Sequence, residues 1–118
     1  MSGPPRTPHS FPKSRRIRLD RDFVPVRTRG RRSVGKESSI RSVANDLGFA
    51  RLGVSTPRKY GDAPTRNRFR RLAREAFRSL SPRLPARDIL VEPRRDGATP
   101  TYEGLRRDLA LACGTPLP

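Results

Sequence analysis

Residues 65 to 78 carry six arginines, Arg66, Arg68, Arg70, Arg71, Arg74 and Arg78, and a single carboxylate, Glu75. A guanidinium presents a planar fork of N–H donors that matches a phosphate bidentately and stays charged at any physiological pH. Arg70, Arg74 and Arg78 recur every four residues. A helix therefore stacks them in one stripe, with Asn67 and Arg71 alongside, and Asn67 can donate to a phosphate or read a base edge. Six cations facing one acid repel by a few tenths of a kcal/mol per i,i+4 pair, a cost that a polyanion reverses. A solvated face of local salt bridges is the simpler reading of most Arg-rich helices. Here it fails for want of acids.

Groups that break bonds show no comparable pattern. The one histidine, His9, falls in a Pro-rich stretch, and the one cysteine, Cys113, can form neither an internal disulfide nor a cysteine zinc site by itself. Carboxylates are scattered, and neither a His/Asp/Ser grouping nor a Cys/His metal spacing occurs, so no residue is assigned to catalysis or to a metal. The formal charge of +16 on 13.3 kDa asks for a polyanionic partner. Only Lys13, Lys36 and Lys59 of the 27 basic residues are lysine. Nucleic acid is the natural partner. A membrane anchor needs a broad apolar face or a run of roughly 20 apolar residues. The chain has neither of these, nor any tryptophan, and Met1 to Arg16 contains no apolar segment. A cytoplasmic protein with no membrane partner and no disulfide-linked partner is expected.

With 118 residues, 32% of them apolar, and with 13 prolines and 9 glycines, the chain has material for one small core and loose ends. Residues 1–15, holding Pro4, Pro5, Pro8 and Pro12, read as a disordered basic arm, 16–113 as the domain and 114–118 as a tail. Asp20 caps a short helix through about Thr28, with Phe23 and Val26 on one side and Pro25 shortening or kinking it. Gly30 ends that helix, and Arg31 to Glu37 reads as a polar connection. The segments 38–44 and 49–56 read as a hairpin with one buried face, because Ala50, Leu52 and Val54 alternate with Arg51, Gly53 and Ser55. After the basic loop 57–61, Asp62 caps the strong helix, where Phe69, Leu72, Ala73, Ala76 and Phe77 span an arc of about 140°. Ser81, Pro82 and Pro85 stop it. Ile89, Leu90 and Val91 suit a strand covered on both faces, and a last helix runs from about Thr101 to Cys113 with Gly114 as its stop. These elements make a single α+β domain, a mixed sheet with helices on one side and a strand-helix-strand crossover.

Arg58-Lys59-Tyr60-Gly61, followed by the run from Thr65-Arg66-Asn67-Arg68-Phe69 to Arg78, resembles the signature of the ribonuclease P protein family, a basic loop joined to an Arg-Asn-Arg helix. Asp22-Phe23, Gly30, Leu52-Gly53-Val54-Ser55, Leu84-Pro85, Asp88-Ile89-Leu90-Val91 and Arg94-Arg95 are similar to its other landmarks, so the resemblance covers about residues 16 to 113. It implies the order helix, three strands, helix, strand, helix, with a left-handed βαβ crossover and a fold also found in a ribosomal protein domain. The extra strand would lie within 31–37. It implies that Arg58, Lys59, Arg66, Asn67, Arg68, Arg70 and Arg71, continued along the helix by Arg74 and Arg78, contact a catalytic RNA. It also implies a cleft between the first helix and the sheet for the single-stranded 5′ leader of precursor tRNA, with Phe23 as a stacking platform. Packing of Phe23 in the core is the other reading. Where the family often has further aromatics, an ungapped registry places Arg27 and Arg41, which can also stack on bases. Chemistry then belongs to magnesium bound mainly by the RNA subunit and the substrate, and the product is the mature tRNA 5′ end. A ribosomal or other structural RNA-binding protein is the alternative. A protein-only nuclease would need grouped acids.

Overall fold

The coordinates are a computed structural model that describes residues 25–26, 29–94 and 99–115. The expected arm, Asp20, Phe23, Arg27 and residues 116–118 of the tail lie outside the described residues. The elements are β1 (Arg31–Val34), β2 (Ser38–Ala44), β3 (Arg51–Val54), a 3-10 turn (Arg58–Tyr60), α1 (Ala63–Leu80), a 3-10 turn (Ser81–Arg83), β4 (Arg87–Pro93) and α2 (Tyr102–Cys113). Ahead of β1, Pro25, Val26 and Arg29 are helical, and the Gly30 N–H closes the turn on the Val26 carbonyl at 2.9 Å. A Cβ at Gly30 would strike that carbonyl, so the helix ends where the sequence predicts and for a steric reason.

Two expectations are corrected. The stretch read as a polar connection contains β1, which pairs antiparallel with β2 from Arg31↔Ser42 to Val34↔Ser39. Its residues are mostly exposed, because an edge strand is held by backbone hydrogen bonds and needs no apolar alternation to announce it. This is the strand that the family resemblance required. Secondly, β2 and β3 do not form a hairpin. The strand order is β1-β2-β4-β3, with β4 antiparallel to β2 and parallel to β3. Ile89, Leu90 and Val91 are fully buried, and a strand without a polar side must sit where both faces are covered. β2 and β3, each carrying half-buried polar residues, flank it instead.

Both helices pack on one face of this sheet. Phe69, Phe77 and Leu80 of α1 and Leu105 and Leu109 of α2 close over Ile40, Leu52, Ile89 and Val91 in a single cluster. Each buried phenylalanine contributes about 1.5–3 kcal/mol. Strand alternation sends Leu90 and its register partner Arg41 to the opposite face. The helix ends are capped as the sequence suggests. The Asp62 carboxylate accepts from the Thr65 N–H at 3.0 Å, the Thr101 hydroxyl accepts from the Gly104 N–H at 3.0 Å, and Gly114 ends α2 in the left-handed region at φ 66°. α2 is further tied to the β1–β2 turn by two buried acids. Asp108 accepts from the Glu37 N–H and the Ser38 hydroxyl, at 3.1 and 2.8 Å, while the Glu37 carboxylate accepts from the Thr101 backbone at the start of α2.

Candidate nucleic-acid interface

α1 turns its apolar arc inward, burying Phe69, Ala73, Ala76, Phe77 and Leu80, with Leu72 half-buried at the margin. That burial fixes the rotation of the helix and so the direction of every other side chain on it. Arg71, Arg74 and Asn67 are exposed, and Arg70 and Arg78 are partly so. At 1.5 Å per residue, Arg70, Arg74 and Arg78 rise about 6 Å apart along the axis. Arg70 donates to the Asn67 side-chain oxygen at 3.0 Å, an i,i+3 bond that orients both groups and leaves the Asn67 amide donors for another partner. Arg58 and Lys59 are exposed on the 3-10 turn, with only Gly61 and Asp62 between Tyr60 and α1, so they extend the basic surface past the helix start.

The six arginines do not share one face. Counting 100° per residue, Arg66 falls about 60° from Phe69, inside the apolar arc, and its Nε is buried with no hydrogen-bond partner among the described residues. Arg68 falls about 160° from Arg70, on the far edge of the helix. There it is exposed beside Tyr60, whose hydroxyl pKa is raised by burial and drawn back by the Arg68 charge. Asp62, at the head of the helix, has its carboxyl held below the usual range, first by the Thr65 hydrogen bonds and less by Arg66.

The second expected surface is described in part. Arg41 lies on the sheet face opposite the two helices, half-buried, whereas Phe23 and Arg27 fall outside the described residues. That face carries Arg51 as well, bidentate to Asp88 at 2.8 and 2.7 Å. The sequence reading missed the pocket formed by Tyr60, Thr65, Arg68, Phe69, Leu72, Thr99 and Pro100. A tyrosine between two basic residues and an Arg-rich helix was its only sequence signal. Thr99 and Pro100 come from some thirty residues further on, and no local pattern predicts their approach. Among the described residues no three of His, Cys, Asp and Glu gather to hold a metal ion, and no helix is long and apolar enough to cross a membrane. Among the described residues, Asp88, Asp108 and Glu37 already serve internal donors.

Residues 11–115 match the family model described as Ribonuclease P. The chain is 36% identical over 101 residues to the ribonuclease P protein component of Chlamydia muridarum, covering 85% of this chain and 84% of that one. It is 37% identical over 100 residues to the one from Syntrophus aciditrophicus, covering 84% of each. Among solved structures it resembles the RNase P protein of Staphylococcus aureus with a TM-score of 0.74 at 27% identity, over 85% of this chain and 93% of that one. The RNase P protein of Thermotoga maritima gives 0.71 at 29% identity, over 83% and 94%.

Proposed function

The chain belongs to the ribonuclease P protein family, and we propose that in this tRNA-processing ribonucleoprotein the outer side of α1 grips the catalytic RNA. As the protein subunit of ribonuclease P it takes part in an endonuclease whose chemistry the RNA carries. The observation that supports this reading is the stripe of Arg70, Arg74 and Arg78, with Asn67 and Arg71, turned outward by a helix whose other side buries Phe69 and Phe77. Rotation and height are set by the core, so the guanidiniums meet phosphates with little left to order. Arg58, Lys59, Arg66 and Arg68 extend the contact around the start of the helix.

The 5′ leader of precursor tRNA takes the sheet face that bears Arg41, and the family resemblance assigns Phe23 and Arg27 to the same role. Stacking tolerates any base, which suits a leader whose sequence varies, and binding precursor more tightly than mature tRNA gives discrimination by linkage. Magnesium is held by RNA and substrate phosphates, where it activates water. The protein's own residues bind and orient, and their cations offset the repulsion between RNA strands. In this reading the subunit works in the cytoplasm.

Adding the protein to a bacterial ribonuclease P RNA at low magnesium tests the assignment. Stimulated removal of the leader is expected. Binding without stimulation would return the protein to the class of structural RNA-binding proteins, and cleavage without RNA would make it a nuclease in its own right.

A further inference from the structure

Arg68 lies about 160° around α1 from Arg70, on the side of the helix that faces Tyr60. It borders an open pocket lined by Tyr60, Thr65, Phe69, Leu72, Thr99 and Pro100. Its walls are largely apolar, and the Tyr60 ring is braced edge-on against Phe69, with centroids 5.8 Å apart at 67°. The Tyr60 phenol, neutral at physiological pH like any tyrosine, offers a hydrogen-bond donor and acceptor at the pocket. A cation and three hydroxyl-bearing side chains around an apolar slot describe the needs of a nucleotide, a flat base with a phosphate attached, and the +16 charge of the chain selects an anionic occupant.

We infer that this pocket takes one unstacked base of the RNA gripped by α1, with the Arg68 guanidinium on that nucleotide's phosphate. The inference rests on the reading of α1 as the RNA-binding helix and adds a base-recognition element to a surface otherwise limited to phosphates. Affinity from the stripe is then sequence-blind and salt-dependent, while the pocket adds a contact that depends on an unpaired nucleotide at one place.

Two measurements on the full chain test it. In a heteronuclear NMR titration, adenosine 5′-monophosphate shifts the resonances of Tyr60, Leu72 and Thr99, and ribose 5-phosphate does not. Equal shifts from both would show recognition of phosphate alone and overturn the pocket. Thr99→Trp, at an exposed position, closes the mouth and weakens binding to ribonuclease P RNA roughly tenfold, the scale of one lost base stack, with the salt slope unchanged. Wild-type affinity in a folded Thr99→Trp protein overturns the pocket while Arg70→Ala/Arg74→Ala still loses affinity. If that double variant also keeps wild-type affinity, the reading of α1 falls and the pocket with it.

Discussion

Arginine serves opposite ends in two regions of this molecule. On and beside the sheet and α2 several guanidiniums are consumed internally. Arg51 forms a bidentate pair with Asp88, Arg87 donates to the Ser42 side chain and carbonyl, Arg94 to the Gly35 carbonyl, and Arg106 to the Ser79 hydroxyl. On α1, apart from Arg66 inside the apolar arc, the same residue type is turned away from the core, with Asn67 as the acceptor for Arg70. The difference lies in the acceptors that tertiary structure brings within reach. Where strands supply carboxylates and carbonyls, arginine becomes a structural brace, and along α1, where Glu75 is the single carboxylate of the helix, the arginines make a cationic surface. The total of 27 basic residues therefore overstates the RNA interface.

The contrast can be broken from the structural side first. Asp88→Ala removes the partner of a mostly buried guanidinium, with side-chain exposures of 19% and 10% across the pair. It also removes an acceptor of Asn45. Stability is expected to fall by on the order of 3 kcal/mol in urea titration, with the salt slope of RNA binding unchanged in the folded fraction. Gly104→Ala strikes the same region more gently. Its Cβ would collide with the Glu37 carboxylate that caps α2, so a loss of about 1–3 kcal/mol is expected, and a thermal melt at wild-type stability would refute the clasp.

Arg70→Ala with Arg74→Ala should do the reverse. Folding stability stays within about 0.5 kcal/mol of wild type. The slope of log affinity for ribonuclease P RNA against log salt falls by roughly 1.5, from two lost phosphate contacts. Equal slopes would place the phosphates elsewhere. The smallest effect belongs to Asp62. Its carboxyl titrates below the ordinary Asp range, so the cap's contribution is fully present above that range and disappears as the pH falls through the lowered value. The difference in melting temperature between wild type and Asp62→Ala is therefore expected near pH 6 and should vanish in acid. A difference that persisted there would exclude the charged cap.

Much of this was legible in the residues. The period of Phe69, Leu72, Ala73, Ala76 and Phe77 located α1 and its rotation, Asp62 and Thr101 marked the helix starts, and Gly114 marked a stop. The resemblance carried by residues 58–61 and 65–78 supplied the family, which the comparisons bear out. Helices are readable because a 3.6-residue period and local caps are properties of neighbouring residues. β1 was hidden because an exposed edge strand carries no apolar alternation, and the false hairpin arose because adjacent strands in sequence usually pair.

Chain order and local period thus decided which segments are helices, which side of α1 faces the core and that the outward side is cationic. Only tertiary structure decided that β4 enters between β2 and β3, that Glu37 and Asp108 fasten α2, and that Arg68 parts from its neighbours to meet Tyr60 and Thr99. These depend on groups distant in the chain, 71 residues apart for Glu37 and Asp108. Such contacts are selected by the shape and burial of the whole core, which no local spacing encodes.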